Sequence, residues 1–253
     1  MQLFTGVGVA LLTLLDSGGD VDLDATGTLA ADLASRGMQA VLACGTTGEP
    51  ATLTPAERQE VVAAVRAAVP ADIPVIAGTG APTADLAAML TTDAIKAGAD
   101  AILAWPPAGS ADLAGYFGAV AAAAQDRPVL AYHFPRVSAP GVPVEALAGL
   151  PVIGVKDSSG DPNRLLAEIT RYSGDTYTGS SALLTLCGPA GGAGAILAAA
   201  NVEPELCCAA FGGDGGAQRA LADVHLAGQA GGPPALKQIL AERHGLSAVS
   251  RSR

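Results

Sequence analysis

The sequence predicts a single α/β domain, a (β/α)8 barrel of the TIM type followed by a short helical appendix. Short apolar runs alternate with longer Ala-, Leu- and Val-rich segments of helical period, which is the pattern of repeated βα units. Eight such units are present, and eight units close naturally into a barrel. A length of 253 residues with 50% hydrophobic residues is enough for one large core.

Each predicted strand is a short apolar run followed by a turn and a helical pattern. The strands are expected at Val7–Leu12, Ala40–Ala43, Val75–Ala77, Ala101–Leu103, Val129–Tyr132, Ile153–Lys156, Thr176–Thr178 and Ala193–Leu197, and helices between them include Pro55–Ala68, Thr83–Ala97 and Ala111–Ala124. Two later helical patterns, Ala217–Gly228 and Pro234–His244, form the appendix. We therefore expect residues 1–203 to form the barrel and residues 204–253 to form the last barrel helix and the appendix, within the same domain.

Two helix starts locate the ends of the strands that precede them. Thr54, Pro55 and Glu57 supply a cap, a first-turn proline and a capping-box glutamate in the required order. Asp161, which precedes Pro162, is a second candidate N-cap followed by a first-turn proline. The strand before Asp161 therefore ends at Lys156, at the barrel face where the chemistry of this fold lies.

Composition and charge exclude several classes of function. The formal net charge of −10, with no basic run, disfavours nucleic acid and anionic membranes as partners. The four cysteines form no C-x-x-C pair and are predicted to be reduced, which indicates a cytoplasmic protein. The apolar segment from Gly6 to Leu15 has no preceding basic residue and is too short to span a bilayer, so a buried strand is expected there. Three scattered histidines lack metal-ligand spacing, so no metal is expected.

Lys156 is the candidate nucleophile, because it ends an apolar strand where burial would be costly for a charged amine. An exposed lysine has a pKa near 10 and is protonated at neutral pH. Desolvation lowers that pKa and gives a free amine, which condenses with a ketone to form a Schiff base. A lysine whose head reaches solvent from the strand end would produce the same pattern.

Two other stretches bring polar groups to the same face. Gly45, Thr46 and Thr47 follow the second strand and offer hydroxyls and a glycine-rich backbone suited to a small carboxylate. Tyr132 ends the fifth strand, beside the strand of Lys156, where a phenol could move protons. An ordinary βα turn and a tyrosine that only packs in the barrel are the alternatives.

Taken together, these stretches resemble the pyruvate-dependent class I aldolases and lyases of the dihydrodipicolinate synthase and N-acetylneuraminate lyase family. That family also includes the 2-keto-3-deoxy-sugar-acid and 4-hydroxy-2-oxoglutarate aldolases. The resemblance extends over nearly the whole chain and rests on GVGVALLTLLDSGGDVD, GTTGEPATLTPAER, PVIAGTGAPT, YHFP, VIGVKDSSGD, YTGSS and GGAGAILAAANVEPEL.

The resemblance implies a role for each matching residue. Lys156 would form the Schiff base, Tyr132 would shuttle protons, and Thr46 and Thr47 would hold the carboxylate of the keto acid and relay protons to the tyrosine. The remaining candidates for substrate binding are Gly45, Ser158, Gly179, Ser180 and Ile196. No cofactor is expected, because the lysine itself serves as the electron sink.

The chain departs from the family pattern in three places. Trp105 follows the fourth strand where many members have a tyrosine that reaches a neighbouring subunit, so we expect no partner residue to complete this site. Arg136 comes one position earlier than the arginine with which the synthases grip a second carboxylate. On an extended segment, a shift of one position turns a side chain to the opposite face. The appendix is shorter than the family's, so the sequence does not decide whether a homo-oligomer would be a dimer or a tetramer.

The predicted function is reversible cleavage of a 4-hydroxy-2-oxo acid or 2-keto-3-deoxy sugar acid to pyruvate and an aldehyde. Ser158 and Ser159 after the lysine are typical of the aldolase branches, and together with Ser180 they offer neutral hydroxyls to a hydroxylated substrate. The alternatives are condensation of pyruvate with aspartate semialdehyde, the 4-hydroxy-tetrahydrodipicolinate synthase reaction, and a protein that binds a keto acid without turnover.

Overall fold

The computed structural model describes residues 2–251, so Met1, Ser252 and Arg253 of the predicted ranges lie outside the described residues. Eight parallel strands form a closed barrel in the order β1 to β8, which confirms the predicted fold. Each predicted strand is found with small shifts at its ends, the largest at β1, which ends at Ala10 rather than Leu12. The strands are β1 (Gly6–Ala10), β2 (Val41–Ala43), β3 (Val75–Gly78), β4 (Ala101–Ala104), β5 (Val129–His133), β6 (Gly154–Asp157), β7 (Asp175–Thr178) and β8 (Gly194–Leu197).

Helices connect the strands and continue beyond the barrel. They are α1 (Leu23–Ser35), α2 (Pro55–Ala68), α3 (Ala84–Lys96), α4 (Leu113–Ala124), α5 (Val144–Leu147), α6 (Pro162–Arg171), α7 (Leu184–Cys187), α8 (Pro204–Phe211), α9 (Gly215–Ala220) and α10 (Ala222–His244). Within residues 2–251, no helix is both long and apolar enough to cross a bilayer.

The appendix differs from the prediction in where its helices divide. The first break falls at Leu221, between α9 and α10, inside the range that was predicted as one helix from residue 217 to residue 228. The second predicted helix is the part of α10 that follows a kink at Gly232, which has φ 58° and ψ −147°. Pro233 and Pro234 follow this kink. Because proline at the start of a helical turn sacrifices no helical hydrogen bond, the helix resumes there.

Both predicted caps are confirmed. The Thr54 hydroxyl accepts a hydrogen bond from the Glu57 amide at 3.2 Å, and the Glu57 carboxylate accepts one from the Thr54 amide at 2.7 Å. The Asp161 carboxylate accepts a hydrogen bond from the amide of Asn163 at 2.8 Å. These caps end the loops after β2 and β6, so both loops are held at the same end of the barrel.

The N-terminal end of the barrel is closed by two aromatic rings. Phe4 and Tyr177 stack with their centroids 4.6 Å apart, and the Tyr177 hydroxyl donates to the Phe4 carbonyl at 2.9 Å. Both side chains belong to the inner apolar cluster, while a larger cluster fills the space between the strands and the helices. The interior therefore opens towards the C-terminal ends of the strands.

Candidate active site

Lys156 and Tyr132 face each other from neighbouring strands. The parallel pairing of β5 with β6 places Tyr132 directly opposite Lys156, so both side chains point into the barrel. The Lys156 Nζ atom lies 4.6 Å from the centroid of the Tyr132 ring. Lys156 is only 3% exposed and Tyr132 only 4% exposed, so the lysine head does not reach solvent.

The environment of Lys156 favours a neutral amine. Burial lowers the pKa of Lys156 from 10.5 to about 7. The next residue, Asp157, points to the other face of β6, where it accepts hydrogen bonds from the Ser159 amide at 2.7 Å and from its hydroxyl at 3.0 Å. The Arg164 guanidinium lies 3.7 Å from the same carboxylate. The strand alternation thus keeps a carboxylate from stabilising the ammonium form.

A pH dependence follows from this environment. Because burial lowers the pKa of Lys156 to about 7, the free-amine fraction increases as the pH rises through that value. We expect the initial rate of imine formation with pyruvate, trapped with cyanoborohydride and followed by intact mass, to rise with pH and to have its midpoint near pH 7. A midpoint close to 10, as for an exposed lysine, would show that the amine is not desolvated in solution.

The phenol of Tyr132 is kept protonated at neutral pH. Burial raises its pKa, while hydrogen bonding to the side chains of Ser158 and Thr46 acts in the opposite direction. Its ring stacks on Phe134 with the centroids 5.7 Å apart. A protonated phenol beside the amine can donate a proton to a departing oxygen and take it back.

The turn that follows β2 presents two threonines to the same space. Residues Thr46–Gly48 form one 3-10 turn, which is named the threonine turn below. The Gly48 amide donates to the Gly45 carbonyl at 2.8 Å, and the Thr13 hydroxyl donates to the Gly48 carbonyl at 2.9 Å. Thr46 contacts Tyr132 through its side chain, whereas Thr47 lies beside it in the wall of the cavity.

A cavity of about 620 Å³ opens above these groups at the C-terminal end of the barrel. Seven of the predicted site residues line it: Thr46, Thr47, Tyr132, Lys156, Ser158, Gly179 and Ile196. Gly45 and Ser180 do not. Gly45 packs against Leu42, whose side chain would lie 2.7 Å from an added Cβ atom. Ser180 is buried just before a turn that begins at Ser181, so Ser181 faces the cavity in its place.

Helix α10 supplies a wall of the cavity that the sequence did not reveal. His225 and Gln229 lie one turn apart on this helix and both line the cavity. The Ser181 hydroxyl lies 2.9 Å from His225 Nδ1. Burial lowers the pKa of His225, which favours its neutral form. The i, i+4 spacing of two polar residues in an otherwise Ala- and Gly-rich helix was the available signal.

Arg136 also lines the cavity, so the expectation that its shift by one position turns it away was wrong. The amides of Val137 and Ser138 both donate to the Phe134 carbonyl, at 2.9 and 3.0 Å. The segment is therefore a turn, and the alternation of faces along an extended strand does not apply. Arg136 Nη1 donates to the Gln229 side-chain oxygen at 2.7 Å, a neutral partner that leaves the positive charge uncompensated.

Trp105 directly follows β4, in the segment that lacks the tyrosine of the family pattern. Its carbonyl accepts a hydrogen bond of 2.7 Å from the hydroxyl of Tyr116. That buried hydroxyl also accepts from the Ala81 amide at 3.2 Å, so this tyrosine is committed to the backbone.

Among the described residues, no group of three or more His, Cys, Asp or Glu is placed to hold a metal ion. The absence of a cofactor and the independence from a partner residue stay predictions.

Comparison with known proteins decides the family. A model of the dihydrodipicolinate synthetase family matches residues 3–220. The chain belongs to this family. A 4-hydroxy-tetrahydrodipicolinate synthase of Pseudomonas savastanoi pv. phaseolicola is 37% identical over 238 residues, which cover 87% of this chain and 80% of the relative.

Solved structures of dihydrodipicolinate synthetase family members agree with this assignment. Dihydrodipicolinate synthase from Aquifex aeolicus has a TM-score of 0.87 at 28% identity, covering 98% of this chain and 91% of that one. The family member YagE of E. coli K12, solved in complex with pyruvate, has a TM-score of 0.88 at 25% identity, again covering 98% and 91%. The protein is thus an enzyme of this family, a carbon–carbon lyase of the pyruvate-dependent class I aldolase type.

Proposed function

We propose that this enzyme reversibly cleaves a 4-hydroxy-2-oxo acid or a 2-keto-3-deoxy sugar acid, releasing pyruvate and an aldehyde through an imine on Lys156. The observation that carries the proposal is the desolvated amine at the end of β6, with a pKa lowered to about 7 and a phenol ring 4.6 Å away. A free amine forms imines, and a neighbouring phenol moves the protons that the reaction requires.

The steps follow from the chemistry of the imine. The Lys156 amine adds to the C2 carbonyl of the substrate, and the carbinolamine loses water to give a protonated imine. Removal of the proton from the C4 hydroxyl breaks the C3–C4 bond, and the electron pair moves to the imine nitrogen as an enamine forms. The aldehyde leaves, C3 takes up a proton, and water releases pyruvate and the free amine. Tyr132 is the group proposed to carry protons in these steps.

The threonine turn is proposed to hold the carboxylate of the keto acid. Thr46 and Thr47 both line the cavity that contains Lys156, and a hydroxyl is a suitable donor to a carboxylate oxygen. Ser158 and Ser181 line the cavity as well and offer neutral hydrogen bonds to hydroxyls of the aldehyde half. Ser159 does not line the cavity, and its hydroxyl donates to the Asp157 carboxylate, so it is removed from this role.

Condensation of pyruvate with aspartate semialdehyde is a second candidate, favoured by the position of Arg136. An arginine with a neutral hydrogen-bond partner can bind a second carboxylate, and Arg136 in the cavity wall meets this description. A relative that shares 37% identity carries the name of that synthase.

A panel of 4-hydroxy-2-oxo acids assayed for pyruvate release, beside a condensation assay with aspartate semialdehyde, separates the two reactions. Activity only in the condensation assay would overturn the first proposal.

Arg136→Ala should distinguish substrates by their charge. Loss of a charge-assisted hydrogen bond is expected to lower kcat/KM by about 10- to 100-fold for partners that carry a second carboxylate. Partners with only hydroxyl groups should be affected much less. Arg127→Ala is the matched control, because Arg127 pairs with Asp100 and Asp126 and does not line the cavity. Equal losses for charged and neutral partners would assign Arg136 a role other than recognition of a carboxylate.

A further inference from the structure

The residue that ends the threonine turn has an unusual backbone conformation. Glu49 has φ 54° and ψ 43°, in the left-handed region that favours glycine and that a glutamate occupies only at a cost. Its amide donates to the Thr46 carbonyl at 3.2 Å, and its carbonyl accepts from the Thr52 amide at 3.0 Å. Since a glycine would satisfy the backbone more easily, the glutamate side chain is the feature that needs an explanation.

That side chain forms a buried ion pair with the last helix. A Glu49 carboxylate oxygen lies 2.6 Å from Lys237 Nζ, and the two side chains are only 3% and 0% exposed. Lys237 Nζ also donates to the Val249 carbonyl at 2.9 Å, and the Ser250 hydroxyl donates to the Glu49 carboxylate. Two partners from the C-terminal part of the chain therefore hold one carboxylate at the base of the threonine turn.

The ion pair joins two walls of the cavity. Lys237 lies on the part of α10 that follows the kink at Gly232, and Pro234 and Leu236 of this part line the cavity. Glu49 directly follows the turn that contributes Thr46 and Thr47 to the lining. A buried charged pair tolerates little displacement, because each charge would otherwise be left without compensation in a low-dielectric site. The distance between the two walls is thus set by an interaction that lies outside the cavity.

We infer that Glu49 and Lys237 are positioning residues, which hold the threonine hydroxyls where they receive the carboxylate of the keto acid. This inference rests on the proposed role of the threonine turn. Neither residue lines the cavity, so neither is expected to touch the substrate. Ser250 supports the pair from the tail that follows α10.

Glu49→Gln and Lys237→Met should each weaken the binding of pyruvate without preventing the covalent step. The pyruvate concentration needed for half-maximal imine trapping is expected to rise about tenfold or more, because small displacements of positioning groups have large effects. The maximal trapped fraction should be retained, since Lys156 is untouched. A purely structural role would change the folded fraction, and therefore the maximum, but not the half-saturating concentration.

The matched control is Arg243→Ala. Arg243 lies on the same helix and forms an ion pair with Glu203, away from the threonine turn, so half-saturation should match that of the unaltered protein. If Glu49→Gln and Lys237→Met do not fold, Ser250→Ala decides, because Ser250 is only partly buried. It should raise the half-saturating concentration about two- to fivefold, less than loss of the ion pair itself, because Lys237 still holds the Glu49 carboxylate.

Hydrogen exchange measured on the peptide covering residues 44–53 separates this inference from the proposed function. Faster exchange in the Glu49, Lys237 or Ser250 variants, together with weaker trapping, supports the positioning role. Faster exchange with unchanged half-saturation overturns it, and so does unchanged exchange. An unaltered protein that traps no pyruvate would contradict the proposed function, while the exchange measurement would still report whether the ion pair holds the turn.

Discussion

Replacing Lys156 with alanine should abolish both imine trapping and turnover, the largest effect expected of any single change. Lys156 has its pKa lowered to about 7 by burial at the C-terminal end of β6, so it is the proposed neutral nucleophile, at the barrel end where this fold carries its chemistry. Removal of a covalent nucleophile costs on the order of 10⁴-fold or more in kcat. Incubation with pyruvate and borohydride, followed by intact-mass and peptide analysis, measures the labelled fraction and its position.

Stability should not fall with activity in this variant. Within residues 2–251, no carboxylate pairs with the Lys156 amine, and Asp157 points to the other face of β6, so alanine removes a desolvated group rather than a stabilising contact. Lys96→Ala is the control, because Lys96 is 65% exposed on α3, beside Asp93. Undiminished labelling after Lys156→Ala would disprove the assignment, and the labelled peptide would then identify the residue that reacts.

The barrel could be predicted because its local signals agree. The apolar runs, the capping box at Thr54 and the cap at Asp161 all point to the same alternation of strands and helices, and each was confirmed in the structure. In a barrel of this kind, inward-pointing side chains near the C-terminal ends of the strands lie at the same face. The sequence alone therefore predicts that Lys156 and Tyr132 lie together, and β5 and β6 pair them directly.

The predictions that failed concern segments without a regular period. Arg136 was assigned to an extended segment, but the turn closed by the Phe134 carbonyl directs it into the cavity. The alternation rule applies only where the backbone is extended. Ser181 replaces Ser180 in the cavity wall for a related reason, because a 3-10 turn begins at Ser181.

The wall formed by α10 was missed because its contacts are distant in sequence. Ala- and Gly-rich composition gives the helix little amphipathic pattern, and the kink at Gly232 divides it. Apart from the i, i+4 spacing of His225 and Gln229, its residues are recognised through their partners: Ser181 for His225, Arg136 for Gln229 and Glu49 for Lys237. Contacts of this kind depend on the closed barrel, which brings its eighth unit next to its first.

Tyr132→Phe should lower turnover by about 10²-fold or more while leaving the imine detectable by trapping. The phenol lies beside Lys156 and is kept protonated by burial, which raises its pKa. In the proposed mechanism, it moves protons without forming the covalent bond. The ring would remain stacked on Phe134, so the barrel should keep its packing. Steady-state pyruvate release and the trapped fraction, measured on the same preparation, give the two quantities.

Tyr172→Phe is the control for loss of a phenol at a different place. Tyr172 lies after α6, away from the cavity lining, and its hydroxyl makes a long contact, 3.5 Å, with the Val152 carbonyl, so its removal should leave turnover unchanged. In Tyr132→Phe, the difference between retained trapping and lost turnover is the informative quantity. If both fall together, Tyr132 is needed for imine formation itself, as expected for a group that protonates the departing water. If neither changes, Tyr132 only packs in the barrel, and the proton must be carried by one of the hydroxyls that contact it, Thr46 or Ser158.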